Sequence, residues 1–259
     1  MNILEVEGLT RHFGGLTAVS SLDLSVRPGE SFGLIGPNGA GKTTVFNLVS
    51  GVLAPTRGRI HFGGREITGV PSHVISRCGL ARTFQIIASF QSFSVLENVL
   101  LGSYGIVRVN PLAALLNLSK ARETERAQRE RAMEILSFLG IERLRDELPR
   151  NLPLGHQRIV DIAVALAGNP KMLLLDEPFS GLSAEEIREM IGKISKIRER
   201  ETAIMLVEHN IRVVMDLCDR IAVLNFGRKI AEGTFAQVSR DPEVIKAYLG
   251  SKRHAVERS

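Results

Sequence analysis

Only two cysteines, Cys78 and Cys218, occur in the 259 residues, and they form no C-x-x-C pair. That excludes a disulfide framework and a thiolate zinc site, and it fits a reducing compartment. No apolar run approaches the ~18–20 residues a membrane-crossing helix needs. The opening stretch MNILEVEGL carries acids where a signal peptide carries bases. From these two lacks we expect a soluble chain, with a place on a membrane through a partner left open. A Lys/Arg stripe interleaved with aromatics is also missing. Such stripes line nucleic-acid grooves, so nucleic acid is not an expected partner. There is no tandem repeat and no low-complexity segment.

What is present is ordinary for a folded chain. Apolar residues make up 44% and charged residues 24%, enough for a core and too balanced for disorder. The length suits one large α/β domain, or a domain with a sizeable insertion. A formal charge of +5 is open to two readings, an anionic partner or a solvated surface with the basic tail SKRHAVERS. The second is preferred.

Residues 3–7 and 19–26 alternate as strands, and 31–36 (SFGLIG) reads as a short buried strand. TTVFNLVSG reads as a helix stopped at Gly51, and 57–67 as a hairpin around Gly63-Gly64. From about 95 to 148 the pattern is helical. One helix is predicted from Ser119, a good N-cap, to Gly140, with Met133, Leu136 and Leu139 on one face and a solvated charge run before them. From 159 onward helices and strands alternate: IVDIAVALA, MLLLDEP, AEEIREMIGKISKIRER, TAIMLVEH, NIRVVMDLC, then RIAVLNFG and RKIAEGT as a closing strand pair. That alternation predicts a largely parallel sheet covered by helices, with the helical middle inserted between two halves of one core.

GPNGAGKT, Gly36 to Thr43, fits G-x-x-x-x-G-K-[ST] between a predicted strand and a predicted helix. Gly36, Pro37, Asn38, Gly39, Ala40 and Gly41 form a loop whose N–H groups can point inward, and the helix start adds partial positive charge. Lys42 can reach the β- and γ-phosphates of a nucleotide. The Thr43 hydroxyl can face Mg²⁺, and Thr44 can contact a phosphate. Asp176 and Glu177 end another apolar strand, at the edge where a parallel sheet binds ligands. Asp176 would hold Mg²⁺ through water, and Glu177 would polarise an attacking water. His209, ending the next strand, could hydrogen-bond a γ-phosphate. Gln85, after ARTF, could bridge the metal or its water to the helical region.

These pieces in this order resemble an ABC transporter ATPase subunit, over nearly the whole chain. The resemblance implies a P-loop NTPase (RecA-like) α/β core with an antiparallel β subdomain and an inserted α-helical subdomain. It assigns 1–88 and 156–240 to the core and β subdomain, 89–155 to the helical subdomain with its signature turn, and 241–259 to a tail. Phe13 falls where the family stacks an aromatic ring on adenine. GPNGAGKTT looks like its Walker A, Gln85 its Q-loop, MLLLDE its Walker B, SGLS (180–183) its D-loop and His209 its H-switch. GPNGAGKTTVFNLVSG, RTFQ, SVLENV, LVEHN and DPEVIKAYLG look like the branched-chain amino acid import branch. A related urea importer, an exporter of lipid or polysaccharide, and a non-transport ABC protein are the alternatives.

The resemblance further implies ATP and Mg²⁺, a head-to-tail pair with a second, different ATPase chain, two permease subunits, a solute-binding protein acting indirectly, and a peripheral place on the cytoplasmic face of the membrane. Phe84, Phe90 and Phe93 suit the permease contact. One turn departs from the family. LPLGH, Leu152 to His156, stands where LSGGQ is usual. Pro153 supplies neither hydroxyl nor N–H, while the Gly155 N–H is expected to remain available for the partner's ATP. Ser183 replaces the usual Asp or Asn of the D-loop. The departures suggest an asymmetric pair of ATP sites, or a branch that tolerates the proline.

Overall fold

The structure, a computed structural model, describes residues 1–83, 90–104 and 118–248. Gln85 and Phe84 lie outside the described residues. The chain opens with β1 (Leu4–Phe13), β2 (Leu16–Val26), β3 (Ser31–Ile35), α1 (Lys42–Val49), β4 (Arg57–Phe62), β5 (Arg65–Glu66), α2 (Ser72–Arg77) and β6 (Leu80–Thr83). The helical middle holds α3 (Val95–Tyr104) and α4 (Leu118–Phe138), and α5 (Leu154–Ala167) follows. Then come β7 (Met172–Asp176), α6 (Ala184–Glu199), β8 (Ala203–Val207), α7 (Ile211–Leu217), β9 (Arg220–Asn225), β10 (Arg228–Gly233) and α8 (Phe235–Val238).

Two sheets result. An antiparallel one has the order β2-β1-β4-β5. The other has the order β10-β9-β3-β8-β7-β6 and is parallel except for the β9–β10 hairpin. Every residue of β3, β7 and β8 is buried, as in parallel strands covered on both faces. Side-chain alternation sorts β7 and β8 between two cores. Met172, Leu174 and Met205 pack with Phe32 and the α1 residue Phe46, and join the apolar side of the antiparallel sheet. Leu173, Leu175, Ile204 and Leu206 face the other way, onto α3, α4, α5 and α6 through Val95, Leu136, Ile159 and Met190.

Element boundaries follow local chemistry. The helix expected from Ser119 begins at Leu118. Its charged part is exposed over 122–127, and its later part buries Ala132, Ile135 and Leu136. Helix α5 runs unbroken through position 155/156, where the sequence placed a subdomain boundary, because its buried face serves the helical cluster and the sheet together. Strand β8 stops at Val207, two residues short of the expected end at His209. The Asn210 side chain caps α7, accepting from the Arg212 N–H at 3.1 Å. The Glu208 carboxylate takes the His209 and Asn210 N–H groups at 3.0 and 3.3 Å, so these donors have a partner outside the sheet.

Candidate functional site

The strand β3 delivers the glycine-rich loop to the sheet edge. Gly36 has φ 151°, and a Cβ there would lie 2.2 Å from the Leu224 carbonyl oxygen. Gly41 has φ 103°, and its Cβ would lie 2.5 Å from the Ala18 oxygen. Both positions therefore demand glycine. Gly41 is the N-cap of α1 and supplies no side-chain cap bond. The helix start is left open to an anion, which its N–H groups and dipole favour. Asn38 and Gly39 are exposed, Ala40 is buried, and Thr43 and Thr44 stand in the first turn, exposed and half-buried. Lys42 is buried, and its Nζ donates to the Gly36 and Pro37 carbonyls at 2.8 and 3.0 Å. Burial lowers its pKa, and the nearby carboxylates of Glu177 and Asp176 oppose that shift. The ammonium thus sits in the field of both acids.

Those acids arrive by register. Leu34 pairs with Val207, and Val207 with Asp176, so β3, β8 and β7 end together at one edge. Asp176 is buried, and its Oδ2 accepts from the Arg82 guanidinium at 2.8 Å. Glu177 leaves the strand with φ 48°, a left-handed conformation costing about 1–3 kcal/mol in a non-glycine residue and typical of functional sites. Its N–H is held by the Val207 carbonyl at 2.9 Å, and its Oε1 lies 2.8 Å from His209 Nε2. With the proton on Nε2, the imidazole donates to that carboxylate. Lys42, Asp176, Glu177 and His209 are thereby brought together.

Two residues of this site escaped the sequence reading. Arg82 lies one strand away from the acids and binds Asp176 to α1. Glu208 is buried and collects three N–H donors, from Phe179, His209 and Asn210. Burial raises its pKa, the three N–H groups lower it, and the charge of Glu177 raises it again. The strings ARTF and LVEH contain these residues, but the distant partners, Asp176 for Arg82 and Phe179 for Glu208, lie outside them.

Phe13 ends β1, partly exposed, with the Arg11 guanidinium 4.8 Å from its ring centre. Pro153 is the N-cap of α5 and makes no side-chain cap bond. Gly155, in its first turn, is buried. The Gly155 backbone, whose amide is expected from the sequence to serve the partner's ATP, lies close to the Glu186 side chain. That side chain is the N3 partner of a capping box with Ser183 at the start of α6. Its carboxyl is held below the usual range by Ser183 first and by the Gly155 N–H further down. A Cβ on Gly155 would lie 2.7 Å from Glu186 Oε1. Ser183 therefore does what the family's Asp or Asn can do, capping the helix.

Mg²⁺ fits this donor set. Among the described residues no group of three or more His, Cys, Asp or Glu side chains could hold a metal on its own. One buried carboxylate and one helix-start hydroxyl are hard oxygen donors of the kind that bind Mg²⁺ together with substrate phosphates and water.

Comparison with known proteins agrees with this geometry. The family described as ABC transporter matches residues 19–180, and that described as branched-chain amino acid ATP-binding cassette transporter matches 228–254. The chain is 41% identical over 249 residues to the high-affinity branched-chain amino acid transport ATP-binding protein BraF of Pseudomonas aeruginosa, covering 96% of this chain and 98% of that protein. It is 39% identical over 249 residues to LivG of Escherichia coli, with the same coverage. A crystal structure titled as the ADP conformation of an ATP-binding cassette of an ABC transporter matches with a TM-score of 0.85 at 31% identity, over 96% of this chain and 99% of that one. The chain belongs to the ABC transporter family, as an ATP-binding and ATP-hydrolysing subunit.

Proposed function

We propose that this chain hydrolyses Mg·ATP in a head-to-tail pair with a second ATPase chain and drives two permease subunits that import branched-chain amino acids. The observation that carries the site reading is the meeting of Lys42, Asp176, Glu177 and His209 at one sheet edge beside an uncapped helix start. The names of the relatives and the match over 228–254 support the cargo.

In this reading Lys42 and the α1 amides bind the β- and γ-phosphates. Thr43 and Asp176 would hold Mg²⁺ with Gln85, and the metal would neutralise charge on the phosphates. Thr44 contacts a phosphate, and Phe13 stacks on adenine. Glu177 polarises the attacking water, and His209 orients Glu177 and reaches the γ-phosphate. Gly155 faces the partner's ATP. The division into a core with β subdomain (1–88 and 156–240), a helical subdomain (89–155) and a tail (241–259) belongs to the same reading, as do the solute-binding protein and the cytoplasmic face. No helix of the described residues is long and apolar enough to cross a membrane.

The permease contact would lie at residues 90–94, before α3. Phe90 and Phe93 are 58% and 42% exposed, with ring centres 5.6 Å apart. Buried Asn98 holds that loop, accepting from the Phe90 N–H at 2.6 Å and donating to the Phe90, Phe93 and Ser94 carbonyls. A fixed loop presenting two aromatic rings suits a docked helix.

The test is the mass of the Glu177→Gln protein by light scattering, with and without Mg·ATP. Trapped ATP should close any competent pair. A monomer that binds ATP but pairs only when a second cassette is added supports two distinct chains; a homodimer overturns that part. Uptake of labelled leucine and of urea by the assembled transporter then separates the cargoes.

A further inference from the structure

We infer that Arg82 is a positioning residue for the metal-holding carboxylate, tying Asp176 to the helix that grips the phosphates. This rests on the proposed Mg²⁺ role of Asp176. The guanidinium is 7% exposed and the carboxylate 2%. Arg82 Nη2 donates to Asp176 Oδ2 at 2.8 Å, and Nη1 donates to Asn47 Oδ1 at 2.7 Å and to Ser50 Oγ at 3.0 Å. Ser50 in turn donates to the Phe46 carbonyl at 2.7 Å, which leaves its oxygen lone pairs for the arginine.

The three partners belong to two elements. Asp176 ends β7, while Asn47 and Ser50 belong to the last turn and C-cap of α1. A cation is favoured at that end of a helix. The same helix presents its other end, with Lys42, to the phosphates. One guanidinium therefore sets the distance between the phosphate helix and the acidic strand. It also occupies Oδ2, so that Oδ1 is the oxygen left for a metal or its water. The planar fork is what allows two acceptors on one side and a carboxylate on the other; a lysine ammonium cannot span them. Arg82 itself sits on β6, paired with Leu174 of β7, three residues before Gln85. The segment leading to the Q-loop is thus anchored to the metal carboxylate by a side chain as well as by the strand ladder.

The experiment uses the full chain with Arg82→Lys and Arg82→Gln. Mn²⁺ binding is read by electron paramagnetic resonance at saturating ADP, and ADP affinity is read separately in EDTA. Outer-shell partners of metal ligands typically contribute 10–100-fold to metal affinity. We expect the half-saturating Mn²⁺ concentration to rise about tenfold or more in Arg82→Gln and less in Arg82→Lys, by a larger factor than any change in metal-free ADP affinity. Arg82→Lys decides the matter if Arg82→Gln does not fold. Unchanged or tighter Mn²⁺ binding in a folded variant overturns the inference alone. A parent chain that binds ADP but no Mn²⁺ beside it overturns the metal role of Asp176, and this inference with it.

Discussion

Replacing Pro153 with serine separates the two explanations of the LPLGH turn. Pro153 is the N-cap of α5, with φ −55° and ψ 153°, and makes no side-chain cap bond. Those dihedrals already suit a capping residue. A serine hydroxyl in their place can accept from the His156 N–H, a gain of about 1 kcal/mol in helix stability. Losing proline's restriction of the unfolded chain costs about 0.4–1 kcal/mol. The net is within roughly 0.5 kcal/mol of zero, or about 1–2 °C in melting temperature for a chain of this size. Stability therefore barely moves, and a functional change is readable. A hydrogen bond to a charged phosphate contributes about 1.5–3 kcal/mol, a factor of roughly 10–150 in affinity. If the turn is the weak half of an asymmetric pair, Pro153→Ser should lower the ATP concentration that half-saturates the assembled transporter by about tenfold or more. Thermal melts of the isolated chain control for folding. Unaltered ATPase and uptake, with the melt near the parent's, would refute the asymmetric pair and leave Gly155 and the helix dipole as sufficient.

Two further outcomes follow from the same geometry. Gly36→Ala forces a Cβ against the Leu224 backbone oxygen and a side chain onto φ 151°; urea denaturation should show a loss of about 3 kcal/mol or more, with fluorescent ATP analogues no longer bound. Glu208 has a folded pKa above its ordinary 4.5, burial being the chief cause. The folded chain then holds that proton to higher pH than the unfolded chain does, so this group's contribution falls as pH rises from 4.5 through the folded value. Melting temperatures of Glu208→Gln across that window should decline less steeply with pH than the parent's, and parallel profiles would show the group plays no such part.

Much of the site was legible because its signals are contiguous. The phosphate loop is eight residues long, and its glycines, lysine and threonine lie side by side in the sequence. Asp176 and Glu177 were readable because an apolar run ends on them. Arg82 was not, since its carboxylate partner is 94 positions away and its other partners 35 and 32. Only the β6–β7 pairing and the packing of α1 bring them together. Glu208 was hidden for the same reason: the Phe179 N–H it accepts is 29 positions away. The surroundings of Gly155 were hidden in the same way: the Glu186 side chain beside it comes from α6, the next helix, beyond β7. Ser183 looked like a departure from a pattern and acts as half of a capping box whose other half is Glu186.

The left-handed backbone at Glu177 sets a limit on engineering this chain. At that position glycine is the residue the backbone prefers, and a screen scored on heat resistance alone is drawn toward it. Such a screen removes the carboxylate that faces His209 and the phosphate loop. On the role proposed for Glu177, improvement of the fold and preservation of turnover pull in opposite directions at this one residue. Thermostable versions of this cassette are therefore to be sought in its surface helices and loops, with the end of the acidic strand held fixed.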